Sequence, residues 1–151
     1  ERTTSTFEPE VAPVMSGEDI VGYQKLIRRV PVAPQVIRYA LRLVRATRIT
    51  KDYAPDFVKE TVAWGAGPRA VQFLLLAGKT RAALDGRTYV SCEDIKKAAH
   101  PVLRHRILTN FAAESEGITP DVVIDQLLEH VSEKEDPDNP IPEDVQAAFA
   151  E

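Results

Sequence analysis

The segment from residue 65 to residue 86 constrains the fold more strongly than any other part of the chain. It opens with Gly-Ala-Gly, a run that lets the backbone turn sharply, and Pro68 follows. Proline suits the first position of a helix, where its missing N–H would have had no partner. At the other end, Gly86 is well placed to end a helix in the left-handed conformation. The segment therefore predicts a helix from Pro68 to about Asp85.

Apolar residues cover most of this predicted helix. One stripe follows the spacing i, i+3, i+4, i+7 and i+11, and it consists of Val71, Leu74, Leu75, Gly78 and Ala82. Much of the remaining surface is covered by Phe73, Leu76, Ala77 and Leu84. Apolar residues on this many sides are typical of a helix inside a protein. We therefore expect a central helix that is buried on most sides.

Caps and prolines divide the rest of the chain into further helices. The predicted helix starts are Ser16 with Asp19, Pro34, Pro55, Ser91 with Asp94, and Thr119 with Pro120. Pro101 is expected to break or kink the helix that follows Ser91. The predicted fold class is all-α, a small bundle of about five helices over residues 16–131. Residues 1–15 are expected to be a linker, and residues 132–151 an acidic, mostly disordered tail.

The composition fits one soluble globular domain. The chain has 151 residues, of which 44% are hydrophobic and 28% are charged, and no apolar run approaches the roughly 20 residues that span a bilayer. Cys92 is the only cysteine, which excludes an internal disulfide and suits the cytoplasm. Because the chain begins at Glu1 without a methionine, we expect it to be a piece of a longer protein.

Charge is distributed unevenly along the chain. Residues 28–106 contain sixteen Lys/Arg against six Asp/Glu, whereas residues 132–151 contain one lysine against seven acids. A basic body of this kind suits phosphate, nucleic acid or an acidic protein surface. In the predicted second helix, Arg38, Arg42 and Arg45 share one face at i, i+4 and i+7. That face could bind an anionic partner, but we expect it to be a solvated exterior.

The sequence contains no recognisable catalytic constellation. It lacks the G-x-x-x-x-G-K-[ST] phosphate loop, and no apolar strand ends in paired acids that could hold magnesium. The histidines, His100, His105 and His130, have no acidic or cysteine partner at metal-ligand spacing. We therefore expect neither ATP hydrolysis nor a metal site in this chain by itself.

Arg69 is the strongest candidate for a functional residue. It falls in the first turn of the predicted central helix, on the turn formed by Gly65, Gly67 and Pro68. Backbone N–H groups at a helix N-terminus favour an anion, and a guanidinium can grip two phosphate oxygens at once. These features favour phosphate binding by Arg69.

Several ungapped motifs resemble those of one protein family. Residues 65–70, GAGPRA, are similar to the GASPRA element that opens a helix in the C-terminal lid domain of MoxR-type AAA+ ATPases. Further similar runs are AALDGRTYV at 82–90, PVLRHR at 101–106, VPV at 30–32 and VRATR at 44–48. The likeness extends in order through residues 14–131. Magnesium-chelatase ATPase subunits share a related lid.

The resemblance implies a helical lid that works with a nucleotide-binding core missing from this chain, with residues 1–15 as the linker from that core. Arg69 matches the family's sensor-2 arginine, which would approach the terminal phosphates of ATP. The resemblance also implies ATP with magnesium in the parent, a hexameric ring, and chaperone-like remodelling or maturation of partners such as von Willebrand A-domain proteins. Gly67 stands where the family usually has serine, which would cap the helix slightly better.

A second interpretation is a free-standing helical module that binds DNA or protein. A long helix, a short extended link and a capped helix over residues 91–99 also resemble part of a histone fold. The basic body would suit DNA phosphates, although we expect weak binding because the arginines are spread over several helices. A phosphate-loop domain encoded directly upstream of Glu1 would decide in favour of the lid.

Overall fold

Seven helices and one two-stranded sheet form the part of the chain that the structure describes. The computed structural model describes residues 12–50, 52–134, 140–142, 145 and 148. The helices are α1 (Gly17–Arg28), α2 (Pro34–Ala46), α3 (Asp56–Thr61), α4 (Arg69–Leu84), α5 (Cys92–Leu103), α6 (Phe111–Ser115) and α7 (Pro120–His130). Strands β1 (Val62–Trp64) and β2 (Leu108–Thr109) pair antiparallel. The predicted all-α fold class is confirmed, although the described residues form seven helices rather than about five, and neither α6 nor the small sheet was predicted.

Helix α4 lies at the centre of the fold, as its apolar stripe predicts. All five residues of that stripe are buried. Helices α5, α2 and α1 pack against α4, and α7 packs against α5 and α2. Gly78 permits the close approach of α5, because a Cβ there would lie 2.9 Å from Val90 and 3.1 Å from Ile95. Gly86 has a φ of 70° and follows the end of α4, in the predicted left-handed conformation.

The expectation that α4 is buried on most sides is wrong for part of its surface. Leu84 is 82% exposed, and Phe73 is also exposed. The Phe73 ring is partly covered by the guanidinium of Arg106, whose central carbon lies 4.9 Å from the ring centroid. The helix also begins one residue later than predicted, because Pro68 is its N-cap.

The predicted caps explain where several other helices begin. Ser16 with Asp19 and Ser91 with Asp94 each form a reciprocal capping box, so these four residues fix the starts of α1 and α5. Pro101 does not break α5, which continues through it to Leu103, so only the kink stays a prediction. The buried side chains in that last turn, among them Leu103, keep it packed on the core although Pro101 removes one backbone hydrogen bond.

The arginine face of α2 is not the solvated exterior that we expected. Arg42 is only 2% exposed, and its Nη2 donates to the carbonyl oxygens of Ser132 and Glu133, each at 3.1 Å. Arg45 donates to the carbonyl oxygen of Pro140. The start of the predicted tail therefore lies along α2. Most of residues 132–151, and residues 1–11 of the predicted linker, lie outside the described residues, so the disorder of the tail stays a prediction.

Candidate functional site

The turn that was predicted to carry Arg69 connects β1 to the N-terminus of α4. Its residues 65–67 are irregular, and Pro68 already has helical backbone angles. The N–H groups of Ala70 and Val71 donate to the carbonyl oxygens of Gly67 and Pro68 at 2.9 and 3.1 Å. These bonds tighten the first turn of the helix, so the backbone around Arg69 is firmly held.

A hydroxyl at the end of α2 fixes the turn to the body of the domain. The N–H of Ala66 donates to Oγ1 of Thr47 at 2.9 Å, and that hydroxyl donates to the Val44 carbonyl oxygen at 2.7 Å. Thr47 and Ala66 are both buried. From the next residue, Arg48, Nε donates to the carbonyl oxygen of Ala66 at 3.3 Å. Residues 44–48 and 65–70, two of the motifs that the sequence singled out, are therefore in direct contact.

The two glycines of the turn have different roles. A Cβ on Gly65 would lie 2.0 Å from the carbonyl oxygen of Thr47 and 2.8 Å from its hydroxyl, so only glycine fits there. A Cβ on Gly67 would meet nothing within 4 Å, and its φ is not positive. Serine would therefore fit at position 67, whereas position 65 requires glycine.

Arg69 is the first residue of α4, and its side chain is exposed. No hydrogen bond or ion pair engages it among the described residues, in contrast to Arg42, Arg87 and Arg104, which bond to carbonyl or carboxylate oxygens. A guanidinium at the positive end of a 16-residue helix adds its full charge to that of the helix dipole. This arrangement can bind a phosphate group that approaches from outside the domain.

Arg87 lies in residues 82–90, another segment that resembles the family, but its role is structural and not phosphate binding. Its guanidinium donates to both carboxylate oxygens of Asp94, at 2.6 and 2.8 Å, and to Asp85 at 2.9 Å. The bonds from Arg87, helped by the N–H of Ser91, hold the pKa of the Asp94 carboxyl far below its usual range. The cluster joins the end of α4 to the start of α5, and its charges are already satisfied within the chain.

Sequence reasoning missed an exposed apolar surface beside the turn. Trp64, directly before Gly65, is 74% exposed and pairs across the sheet with Leu108, which is also exposed. Phe111, at the start of α6, is 85% exposed. Exposed large apolar side chains that lie side by side, as Trp64 and Leu108 do, mark interaction surfaces. The strands β1 and β2 are only three and two residues long, so neither carries a pattern from which the sequence could predict a strand.

The described ranges hold no group of three or more His, Cys, Asp or Glu side chains that could bind a metal ion. His100 has one acidic neighbour, with Nε2 lying 3.0 Å from Oδ1 of Asp125. No described helix is both long and apolar enough to cross a membrane.

Comparisons with known proteins agree on the same kind of domain. Residues 55–127 match the family described as the AAA lid domain. The chain is 32% identical over 124 residues to Chaperone MoxR1 of Mycobacterium tuberculosis, covering 82% of this chain and 33% of that protein. It is 27% identical over 119 residues to the uncharacterized protein YeaC of Bacillus subtilis, covering 79% of this chain and 34% of that protein. The chain thus spans about one third of the length of these curated relatives.

A solved structure shows a similar arrangement of helices. It is the crystal structure of a protein from Cytophaga hutchinsonii, provisionally described as an ATPase, and it superposes with a TM-score of 0.78 and 31% identity. The superposition covers 87% of this chain and 40% of the other. Both sequence and structure therefore relate the described domain to one part of larger proteins.

Proposed function

The chain contains an AAA lid domain of the MoxR type, and from this premise we propose that it is the lid of an ATP-hydrolysing protein in which Arg69 contacts the phosphates of the bound nucleotide. The placement of Arg69 carries this proposal. Its guanidinium is exposed at the N-terminus of the central helix, and no carboxylate among the described residues neutralises it. Such a group is poised to stabilise the negative charge of a phosphate.

The contacts of the turn provide a route by which nucleotide binding at Arg69 would move the whole lid. The turn is bonded to Thr47 at the end of α2, and Arg69 begins the helix against which α1, α2 and α5 pack. A pull on Arg69 would therefore be transmitted to a rigid unit rather than absorbed by a loose loop. We propose that the angle of the lid follows the state of the nucleotide.

The chemistry of hydrolysis would come from the remainder of the parent protein. We expect a phosphate loop and magnesium-binding acids in that remainder, with ATP and magnesium as its cofactors. Arg69 would supply positive charge near the transferred phosphoryl group and would move no proton. Whether it acts on the nucleotide of its own subunit or of a neighbour depends on how the lid is oriented in the assembly.

The exposed side chains of Trp64, Leu108 and Phe111 support assembly with another part of the parent, because a free domain gains nothing by leaving them in water. We propose that they contact the core or a neighbouring subunit in a hexameric ring. One relative is named as a chaperone, and we extend the proposal to remodelling or maturation of partner proteins in the cytoplasm. Von Willebrand A-domain proteins are the partners to test first.

The test is ATP turnover by the full-length parent with Arg69→Ala. Loss of one phosphate-stabilising group is worth on the order of 3 kcal/mol, so we expect turnover to fall about 100-fold. Arg69→Lys should restore little, because lysine keeps the charge but loses the two-pronged geometry. Arg104→Ala, which removes another exposed arginine, is the matched control and should leave turnover nearly unchanged. Equal turnover by wild type and Arg69→Ala, with both proteins folded and assembled, would refute the assignment.

A further inference from the structure

Two arginines of residues 101–106, the segment PVLRHR, have different surroundings. Nε of Arg104 donates to Oδ1 of Asp121 at 2.8 Å, so the charge of Arg104 is neutralised within the domain. The guanidinium of Arg106 makes no hydrogen bond or ion pair with the described residues, and its Nε is buried without an acceptor. A half-buried cation that nothing neutralises gains more from an anionic partner than a fully solvated one does.

The backbone brings Arg106 to the turn that carries Arg69. Strand β2 starts two residues after Arg106, and its Leu108 pairs antiparallel with Trp64 at the end of β1. Because antiparallel chains run in opposite directions, the residues just before Leu108 continue beside those just after Trp64. The residues after Trp64 form the turn to α4. Ile107 is buried in the core, which holds this part of the chain in place.

The ring of Phe73 gives a second contact that places Arg106 near Arg69. Phe73 lies four residues after Arg69 in α4, which is about one helical turn and the same face. Long side chains in helices point back toward the N-terminus, which here is the direction of Arg69. The guanidinium carbon of Arg106 lies over the Phe73 ring, 4.9 Å from its centroid. A cation on an aromatic face is held there by the ring and keeps its N–H donors for a further partner.

Two guanidinium groups on one side of α4 suit a ligand with more than one negative charge. Arg69 and Arg106 repel each other, and an anion bound by both replaces that repulsion with attraction. The N-terminus of the 16-residue α4 adds positive potential at the same end. The terminal phosphate of a nucleoside triphosphate carries such a charge, and its oxygens match the fork of N–H donors on a guanidinium.

We propose that Arg106 is a second arginine at the phosphate site of Arg69, and that Phe73 positions it there. This inference rests on the proposed function, in which Arg69 contacts the bound nucleotide. Both arginines bind oxygens of the terminal phosphate, so together they distinguish a nucleoside triphosphate from the diphosphate. Phe73 acts only through Arg106 and does not contact the ligand.

The test compares the affinities of the full-length parent for ADP and for adenylyl imidodiphosphate, a non-hydrolysable ATP analogue, by displacement of a fluorescent nucleotide. Arg106→Met removes the charge and keeps an unbranched side chain over the Phe73 ring. We expect affinity for the analogue to fall roughly tenfold, as for loss of a hydrogen bond to a charged group, and affinity for ADP to stay nearly unchanged. Arg104→Met, two residues earlier, is the matched control and should alter neither affinity.

The positioning role of Phe73 has its own test. Phe73→Leu removes the aromatic face, and we expect affinity for the analogue to fall about threefold with little change for ADP. In a parent that already carries Arg106→Met, Phe73→Leu should change neither affinity further, because the group that it positions is gone. An equal effect of Phe73→Leu with and without Arg106 would show that Phe73 does not act through Arg106.

The outcomes separate this inference from the proposed function. Wild-type affinity for the analogue in Arg106→Met, in a parent whose turnover still falls with Arg69→Ala, would overturn the inference and leave the proposed function in place. Equal losses for ADP and the analogue would also overturn it, because Arg106 would then bind a carboxylate of another part of the parent. Urea unfolding of the variant chains checks the fold. If Arg106→Met unfolds, Arg106→Lys, which keeps the charge and loses the fork, should still weaken the analogue more than ADP.

Discussion

Gly65→Ala should destabilise the domain although it adds only one methyl group. The new Cβ would lie 2.0 Å from the carbonyl oxygen of Thr47, so the turn would have to move by roughly 1.5 Å to reach an ordinary contact of about 3.5 Å. A shift of that size breaks the hydrogen bond from Ala66 to the Thr47 hydroxyl, which is 2.9 Å long. The perturbation therefore combines overpacking with a lost buried hydrogen bond.

The expected magnitude follows from these two effects. Overpacking of this kind typically costs 1–3 kcal/mol, and a lost hydrogen bond costs about 1 kcal/mol more. We therefore expect Gly65→Ala to lower the free energy of unfolding by about 2–4 kcal/mol. Gly67→Ala is the matched control, because its Cβ meets nothing and its φ is not positive. It should be neutral or stabilise the fold by up to about 1 kcal/mol, since alanine restricts the unfolded chain.

Urea unfolding of the purified chain, followed by far-ultraviolet circular dichroism, measures both variants. The expected pattern is a large fall in the unfolding midpoint for Gly65→Ala and none for Gly67→Ala. Equal midpoints for the two variants would show that the turn is loose enough to accept a side chain at either position. That result would mean that Thr47 does not hold the backbone at Arg69 in place.

Three further results are expected. The pKa of Asp94 is depressed in the folded chain, so its negative charge stabilises the fold fully above the unfolded-state pKa of about 4. This stabilisation is lost as the pH falls below that value. The difference in unfolding free energy between wild type and Asp94→Asn, measured by urea unfolding, should therefore shrink in acid. Asn110→Ala should cost about 1–2 kcal/mol in the same assay, because Asn110 caps α6 and also donates to the carbonyl oxygen of Glu60 at 2.6 Å. Duplex DNA should bind weakly or not at all at physiological salt, because Arg42 and Arg87 already bond to oxygens of this chain. Submicromolar binding in a fluorescence anisotropy titration would contradict this expectation.

Local signals in the sequence predicted the starts of the helices well. Ser16, Ser91 and Thr119 each have a side chain that bonds to the N–H three residues later, a contact that needs no knowledge of the rest of the fold. Gly86 likewise adopts the positive φ that its position after a long helix suggested. These features depend on neighbours within a few residues, which is why a sequence can predict them.

Features that depend on distant residues were not predicted. Trp64 lies in a strand only because Leu108 pairs with it, and neither short segment carries an alternating pattern of its own. Arg42 is buried because residues 132 and 133 return to it, 90 and 91 positions later. At the candidate site, the sequence indicated the glycine turn but could not separate Gly65 from Gly67, since the difference is made by the Thr47 carbonyl.

The exposure of Trp64 gives the domain an optical reporter. It is the only tryptophan in the chain, so its fluorescence can be followed without engineering. Because the indole is largely surrounded by water and directly precedes the turn that carries Arg69, any surface that covers it should shift its emission to shorter wavelengths. In a parent protein with no other tryptophan, stopped-flow mixing with nucleotide would then test the proposed movement of the lid.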